Sequence, residues 1–230
     1  MLTLAIESSA KPASAAVMQD GALLGQYFQN NGLTHSRTLF SMMQSLLKNL
    51  DLSASDIDLV AVARGPGSFT GVRIGVAAAK GFAWGAEIPV CGVSALEAMA
   101  YLYNQENTVI CPVMDARRGQ VYNALFEYQQ GKLQRICDDR AVSLEELSSE
   151  VMSFDKPVTL IGDGTDLTAK YFKDANIKFE TAPTMLRYQT AFGVALAAPF
   201  SSRMDAIQLE PFYLRPSQAE RERNSHKNLK

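Results

Sequence analysis

The spacing of apolar and polar positions changes several times along the chain, and each change marks an element. Residues 2–7 (LTLAIE) are almost wholly apolar and predict a strand that ends on the acid Glu7. Residues 13–18 predict a second strand, Asp20-Gly21 a hairpin turn and residues 23–28 a third strand, so the chain opens as a three-stranded meander. The period then becomes helical, with Leu39, Met42, Met43, Leu46, Leu47 and Leu50 falling on one apolar stripe that residues 51–56 close. Leu59-Val60-Ala61-Val62 reads as a buried strand. It breaks at Gly65-Pro66-Gly67-Ser68, and from about Gly71 a helix follows, built from Gly75, Ala77, Ala78, Ala79, Gly81 and Ala83. Residues 89–93 predict the next strand. Ser94-Ala95-Leu96-Glu97 matches a capping box opening a helix to about Asn104.

After the polar stretch 104–107 the pattern restarts. Residues 109–114 predict a strand ending on Asp115, as the first strand ended on Glu7. Residues 120–128 predict one strand, Gln130-Gly131 a turn and residues 132–137 a third strand, which repeats the first meander about 108 residues on. Ser143-Leu144-Glu145-Glu146 opens another helix, to about Phe154. A strand at 158–161, the turn Gly162-Asp163-Gly164 and helices near 167–172 and 186–197 complete the copy. A duplicated meander with alternating helices and strands is an α/β arrangement. It is similar to the layout of actin, the heat-shock ATPases and the sugar kinases, with the second copy abbreviated. The expected lobes are 1–104 and 105–215, with a polar tail at 216–230 that frays.

Composition narrows the function. Of the 230 residues, 47% are apolar, enough for a sizeable core. A net charge of −2 argues against a chain that grips nucleic acid alone, since phosphate neutralisation supplies most of that affinity. Cys91, Cys111 and Cys137 form no CxxC and read as buried reduced thiols. The opening residues lack a basic start and a long apolar run, so neither a signal peptide nor a membrane span is expected; the expected location is cytoplasmic.

The glycine-rich turn at 65–68 supports two readings. It is either a phosphate cradle, with Gly67 and Ser68 touching an anion, or the entry to a helix that another backbone approaches closely. The spacing fits neither G-x-x-x-x-G-K-[ST] nor G-x-G-x-x-G, which favours close packing. Gly75 and Gly81 support the same choice, because helical glycine costs about 1 kcal/mol relative to alanine. The turn after Glu7 (Ser8-Ser9-Ala10-Lys11-Pro12) has no glycine, and Pro12 has no N–H, so it makes a poor phosphate cradle. At the matching second turn, Asp115, Arg117 and Arg118 could hold a phosphate or carboxylate, or pair with Asp138, Asp139 or a partner chain; structural pairing leads. The chain has two histidines; His226 lies in the tail, and His35 opens a helix as a cap or interface residue. No G-x-S-x-G occurs, and Ser68 is the one serine worth testing as a nucleophile. The two helices at 39–50 and 71–85, meeting two from a second chain, would form a four-helix contact across a two-fold axis.

Five stretches carry a family resemblance. GPGSFTGVRIG at 65–75, Ala79-Lys80-Gly81, Pro89-Val90-Cys91-Gly92-Val93-Ser94, Asp115-Ala116-Arg117-Arg118-Gly119 and Pro211-Phe212-Tyr213-Leu214-Arg215 together resemble the TsaB (YeaZ) family. That family supplies the bacterial accessory subunit for making threonylcarbamoyladenosine in tRNA and is related to TsaD, once called glycoprotease. The resemblance implies a heterodimer with TsaD, a third partner in the ATPase TsaE, and a homodimer when alone. It implies contact with tRNA only through the complex and no cofactor of its own, leaving ATP or ADP to the partner subunits. It places the partner interface on His35, Leu39, Met42, Met43, Leu46, Arg73, Gly75, Val76, Ala79 and Phe82. TsaD carries a metal-binding H-x-E-G-H; here Ala95 and Met99 stand where the two histidines would be, so neither a metal site nor a catalytic residue is expected. The alternatives are a glycoprotease-type metallopeptidase and an actin-like ATPase or sugar kinase.

Overall fold

Leu2–Glu7 (β1), Ala13–Gln19 (β2) and Ala22–Gln29 (β3) form the first meander in the computed structural model, which describes residues 1–215. The polar tail expected from the sequence lies outside the described residues. Asp20 and Gly21 both take positive φ, 49° and 89°, as a two-residue hairpin turn requires. His35–Asn49 (α1), Leu59–Gly65 (β4), Phe69–Ala86 (α2), Val90–Ser94 (β5) and Ala95–Tyr101 (α3) follow. β4 runs parallel to β1, and β5 parallel to β4, giving the order β5-β4-β1-β2-β3.

The second half comprises Val109–Arg117 (β6), Gln120–Asn123 (β7), Phe126–Gln129 (β8), Lys132–Arg135 (β9), Arg140–Ser143 (β10), Leu144–Val151 (α4), Val158–Ile161 (β11), Thr165–Asp174 (α5), Glu180–Thr181 (β12), Ala191–Ala197 (α6) and Arg203–Met204 (β13). Its sheet reads β12-β11-β6-β7-β10, the same order and the same strand directions as the first. The duplication is therefore structural, and the fold is that of actin, the heat-shock ATPases and the sugar kinases. β13 returns to the first sheet and pairs antiparallel with β5.

The second meander differs from the sequence reading in one respect. Residues 120–128 are two strands, and the third strand of the meander is β10; β8 and β9 form a separate hairpin. Pro112 causes the switch. It has no N–H for the ladder, and β6 pairs with β8 at Ile110 but with β7 from Val113 on. The buried Asn123 amide fills the break by donating to the carbonyls of Pro112 and Ala124, both at 3.0 Å. The last helix is also shorter than its apolar pattern. Thr190 caps it, with its hydroxyl accepting from the Gly193 amide at 3.4 Å, and residues 184–186 form a separate single turn. Helices α3 and α4 end at Tyr101 and Val151, each a turn or less before the expected limits. The Ser143–Glu146 capping box forms in both directions. At Ser94 only half of it forms, because the Glu97 carboxylate pairs with Arg135 at 2.9 Å.

Alternation in the strands sorts the core. Leu4, Ile6, Val17, Val60 and Val62 point to the α1–α2 side. Ala5, Ala16, Leu59, Ala61 and Ala63 point to the opposite side, where the small side chains let α3 and α6 come close. There the halves exchange their last helices: α3 packs on β6, and α6 on β1 and β2. At the α3–α6 crossing, a Cβ on Gly193 would lie 2.4 Å from the Ala98 carbonyl oxygen, so glycine sets the helix separation. The outer face of the second sheet carries α4 and α5 over Val109, Cys111, Val113 and Leu160. Cys91 and Cys111 are buried and Cys137 half-buried, all three as free thiols.

Candidate functional site

The glycine-rich turn and α2 are held by the turn after β1, and the contact is close enough to need glycine at three positions. A Cβ on Gly67 would meet the Ser9 carbonyl oxygen at 2.2 Å, and one on Gly71 the Ser8 carbonyl oxygen at 2.1 Å. One on Gly75 would meet Ser8 Oγ at 2.4 Å. The Ser68 amide donates to the Ser9 carbonyl at 2.6 Å, and Ser8 Oγ donates to the Gly71 carbonyl at 2.9 Å. These close approaches give Gly67, Gly71 and Gly75 a role in packing α2 against the turn after β1. Ser68 caps α2, accepting from the Gly71 amide at 3.3 Å. His35 joins the same junction, its Nε2 bonded to the Ala10 carbonyl at 2.8 Å.

Glu7 sits at the centre of this packing, fully buried, with Oε1 accepting from the Ser9 amide at 2.5 Å. Burial pushes its carboxyl up from 4.5 to about 7. Bonds from Ser9 lower it in part, and the Asp163 carboxylate of the second half adds a smaller push upward. Oε2 has no hydrogen-bond partner among the described residues. Asp163 is itself shifted upward by burial and accepts from Gln189 Nε2 at 2.8 Å. At the second turn, Arg117, Arg118 and Gly119 take positive φ (67°, 58° and 71°), and Asp115 holds the turn by accepting from the Arg117 amide at 2.7 Å. Both arginine side chains are exposed and neither pairs with Asp138 or Asp139; Asp139 is bound by Arg135 at 2.7 Å.

The ten expected interface residues divide by burial. Leu39, Met42, Met43, Leu46, Gly75, Val76 and Ala79 are buried within this chain, where they pack α1 and α2 onto the first sheet. Their side chains offer no surface. His35 and Phe82 are half-buried, and Arg73 is exposed. The outward face of α2 instead carries Ile74, Ala77, Gly81, Trp84 and Gly85, and Trp84 is 70% exposed. Among the described residues nothing lies within 4 Å of a Cβ built on Gly81 or Gly85. Arg73 and Lys80 are the two charged residues of α2, and besides Arg73 its exposed positions include Ala77, Gly81, Trp84 and Gly85.

The 211–215 strap, another of the resembling motifs, ties this region together. The Phe212 amide donates to the Arg64 carbonyl at 2.6 Å. The Tyr213 ring stacks on Phe69 at 4.1 Å, and its hydroxyl accepts from Arg73 Nε at 2.9 Å. Arg73 lies over the Phe69 ring at 4.0 Å, and Arg215 donates to the Ala116 carbonyl at 3.1 Å in the second lobe.

The family model for TsaD, tRNA N6-adenosine threonylcarbamoyltransferase, matches residues 30–221. A relative from Bacillus subtilis, the tRNA threonylcarbamoyladenosine biosynthesis protein TsaB, is 36% identical over 174 residues, 76% of each chain. The chain belongs to the TsaB (YeaZ) family. The Escherichia coli TsaB is 36% identical over 154 residues, 66% of each chain. The solved structure of YeaZ from Pseudomonas aeruginosa aligns with a TM-score of 0.78 at 24% identity, over 93% of this chain and 99% of that one, a likeness of fold. In this TsaB-family chain, Ala95 and Met99 are both fully buried in the core shared by the two halves. Among the described residues no group of three or more His, Cys, Asp or Glu side chains could hold a metal ion. Nor is any described helix long and apolar enough to cross a membrane.

Proposed function

We propose that this chain is a non-catalytic partner subunit in the formation of threonylcarbamoyladenosine in tRNA. It acts by docking the outward face of α2, with the neighbouring end of α1, onto the related transferase TsaD. The observation that carries this reading is α2 itself. Its inward glycines are accounted for by contacts under 2.5 Å, yet Gly81 and Gly85, on its open face, are accounted for by nothing among the described residues. Each costs about 1 kcal/mol relative to alanine, and a close-packing second helix is the physical reason to keep them. The half-buried Phe82 and exposed Trp84 at the end of the helix, with exposed Phe40 on α1, supply aromatic anchors of the kind that dominate interfaces.

The same face would pair with a second copy when TsaD is absent, so homodimer and heterodimer compete. TsaE would join the pair, nucleotide would be held by the partner subunits, and tRNA would be met only through the complex, in keeping with the net charge of −2. Buried Ala95 and Met99 support the non-catalytic part of the reading, since neither side chain can act as an imidazole ligand. The test is threonylcarbamoyl transfer to tRNA in a reconstituted mixture with the chain present or omitted. Transfer that requires the chain, together with no transfer by the chain alone, is expected. Equal transfer without it contradicts the proposal.

A further inference from the structure

Away from the α2 face, a cleft of about 470 Å³ opens between the two halves, within the size range of small-ligand sites. Its lining includes Gly65 and Ser94, at the carboxyl ends of the adjacent parallel strands β4 and β5, where open α/β sheets bind ligands, and Gly92 within β5. Both glycines are required by what lies over them. A Cβ on Gly65 (φ +125°) would lie 2.2 Å from the Phe212 carbonyl oxygen, and one on Gly92 would lie 2.5 Å from Arg64 Cδ. The Arg64 side chain is therefore led across Gly92 into the cleft wall, 6.0 Å from the Phe212 ring.

The charges lining the cleft are unequally committed. Arg135 is held by Glu97 at 2.9 Å and Asp139 at 2.7 Å, and the Ser94 hydroxyl donates to Asp139 at 2.5 Å. Arg64 and Asp138 remain. Among the described residues neither side chain makes an ion pair or hydrogen bond, so the cleft presents one uncommitted cation and one uncommitted anion. The two arginines and three acids of the lining leave it net negative, which disfavours polyphosphates and favours a molecule bearing both charges.

We propose that this cleft binds a small zwitterion of the α-amino-acid class, its carboxylate on the Arg64 guanidinium and its ammonium group facing Asp138. Arg64 presents paired N–H donors matched to a carboxylate, and the Phe212 ring beside it covers the ligand's carbon face.

The experiment is a thermal-shift and calorimetric titration of the full chain with the common free L-amino acids, one at a time. Whichever binds is then tested as its N-acetyl and methyl-ester derivatives. Saturable binding is expected, weakened about tenfold or more by blocking either charge, because each removes a charge-assisted hydrogen bond. Arg64→Gln and Asp138→Asn should each cost about the same factor. Asp138 is exposed and bonded to nothing described, so Asp138→Asn keeps the fold and the test stands even if Arg64→Gln does not fold. Three results would overturn the proposal: no saturable binding of any amino acid up to about 10 mM, N-acetyl derivatives binding as well as their parents, or unchanged affinity in Asp138→Asn.

Discussion

Glu7 and the α2 glycines show how single residues are fixed by their surroundings. The buried Glu7 carboxyl titrates near 7 in the folded chain and at 4.5 when exposed. Between those values the native state holds a proton the unfolded chain has released, so stability falls as pH rises through that window and levels off above it. The whole effect is at most about 3 kcal/mol. Glu7→Gln keeps an acceptor for the Ser9 amide and removes the titration. Its stability relative to the parent in urea unfolding should therefore grow from about pH 5 to about pH 8; a constant difference would contradict the assignment. Gly71 and Gly81 should respond oppositely to alanine. Gly71→Ala drives a Cβ to 2.1 Å from a backbone oxygen and should cost about 2 kcal/mol or more. Gly81→Ala meets nothing and should stabilise the isolated chain by about 0.5–1 kcal/mol. Chemical denaturation of both variants checks the pair, and a loss at Gly81 would mean that the open face is misassigned. Leu46→Ala, at a core position, should cost about 3 kcal/mol and so reports on folding rather than docking.

At the scale of elements, the 211–215 strap links α2 to the second lobe. Tyr213→Phe removes only the bond from Arg73 and should cost about 0.5–1 kcal/mol. Tyr213→Ala also loses the Phe69 stack and should cost about 2 kcal/mol, read as a lower melting temperature. A Tyr213→Ala chain melting with the parent would remove the strap from the account. The first lobe was legible in the sequence because its strands are long, its hairpin is Asp-Gly and the α1 stripe is unbroken. The second was less so. The switch of partner along β6 follows from a missing N–H at Pro112, a pairing effect that no local pattern carries. β10 was hidden because its four residues run straight into the Ser143 capping box. Of the interface residues that the family resemblance implies, seven are buried inside this chain, and the open side of α2 carries others. Glycine at 75 and at 81 looks alike in sequence, and only the position of Ser8 shows that the first is used inside the chain.

At the scale of the molecule, duplication gives two sheets with a shared alanine-rich layer between them, and the exchanged helices α3 and α6 lock the halves together. Ala95 and Met99 are fully buried in that layer. In this fold the open face of α2 is the surface proposed for a partner. The most direct test is the affinity of TsaD for the parent and for Gly81→Leu, measured by titration calorimetry with folding of both checked by circular dichroism. Gly81→Leu, folded and at least as stable alone, should bind TsaD about a hundredfold or more weakly, since a bulky side chain would hold the helices apart. Equal affinity for the two would contradict docking through this face.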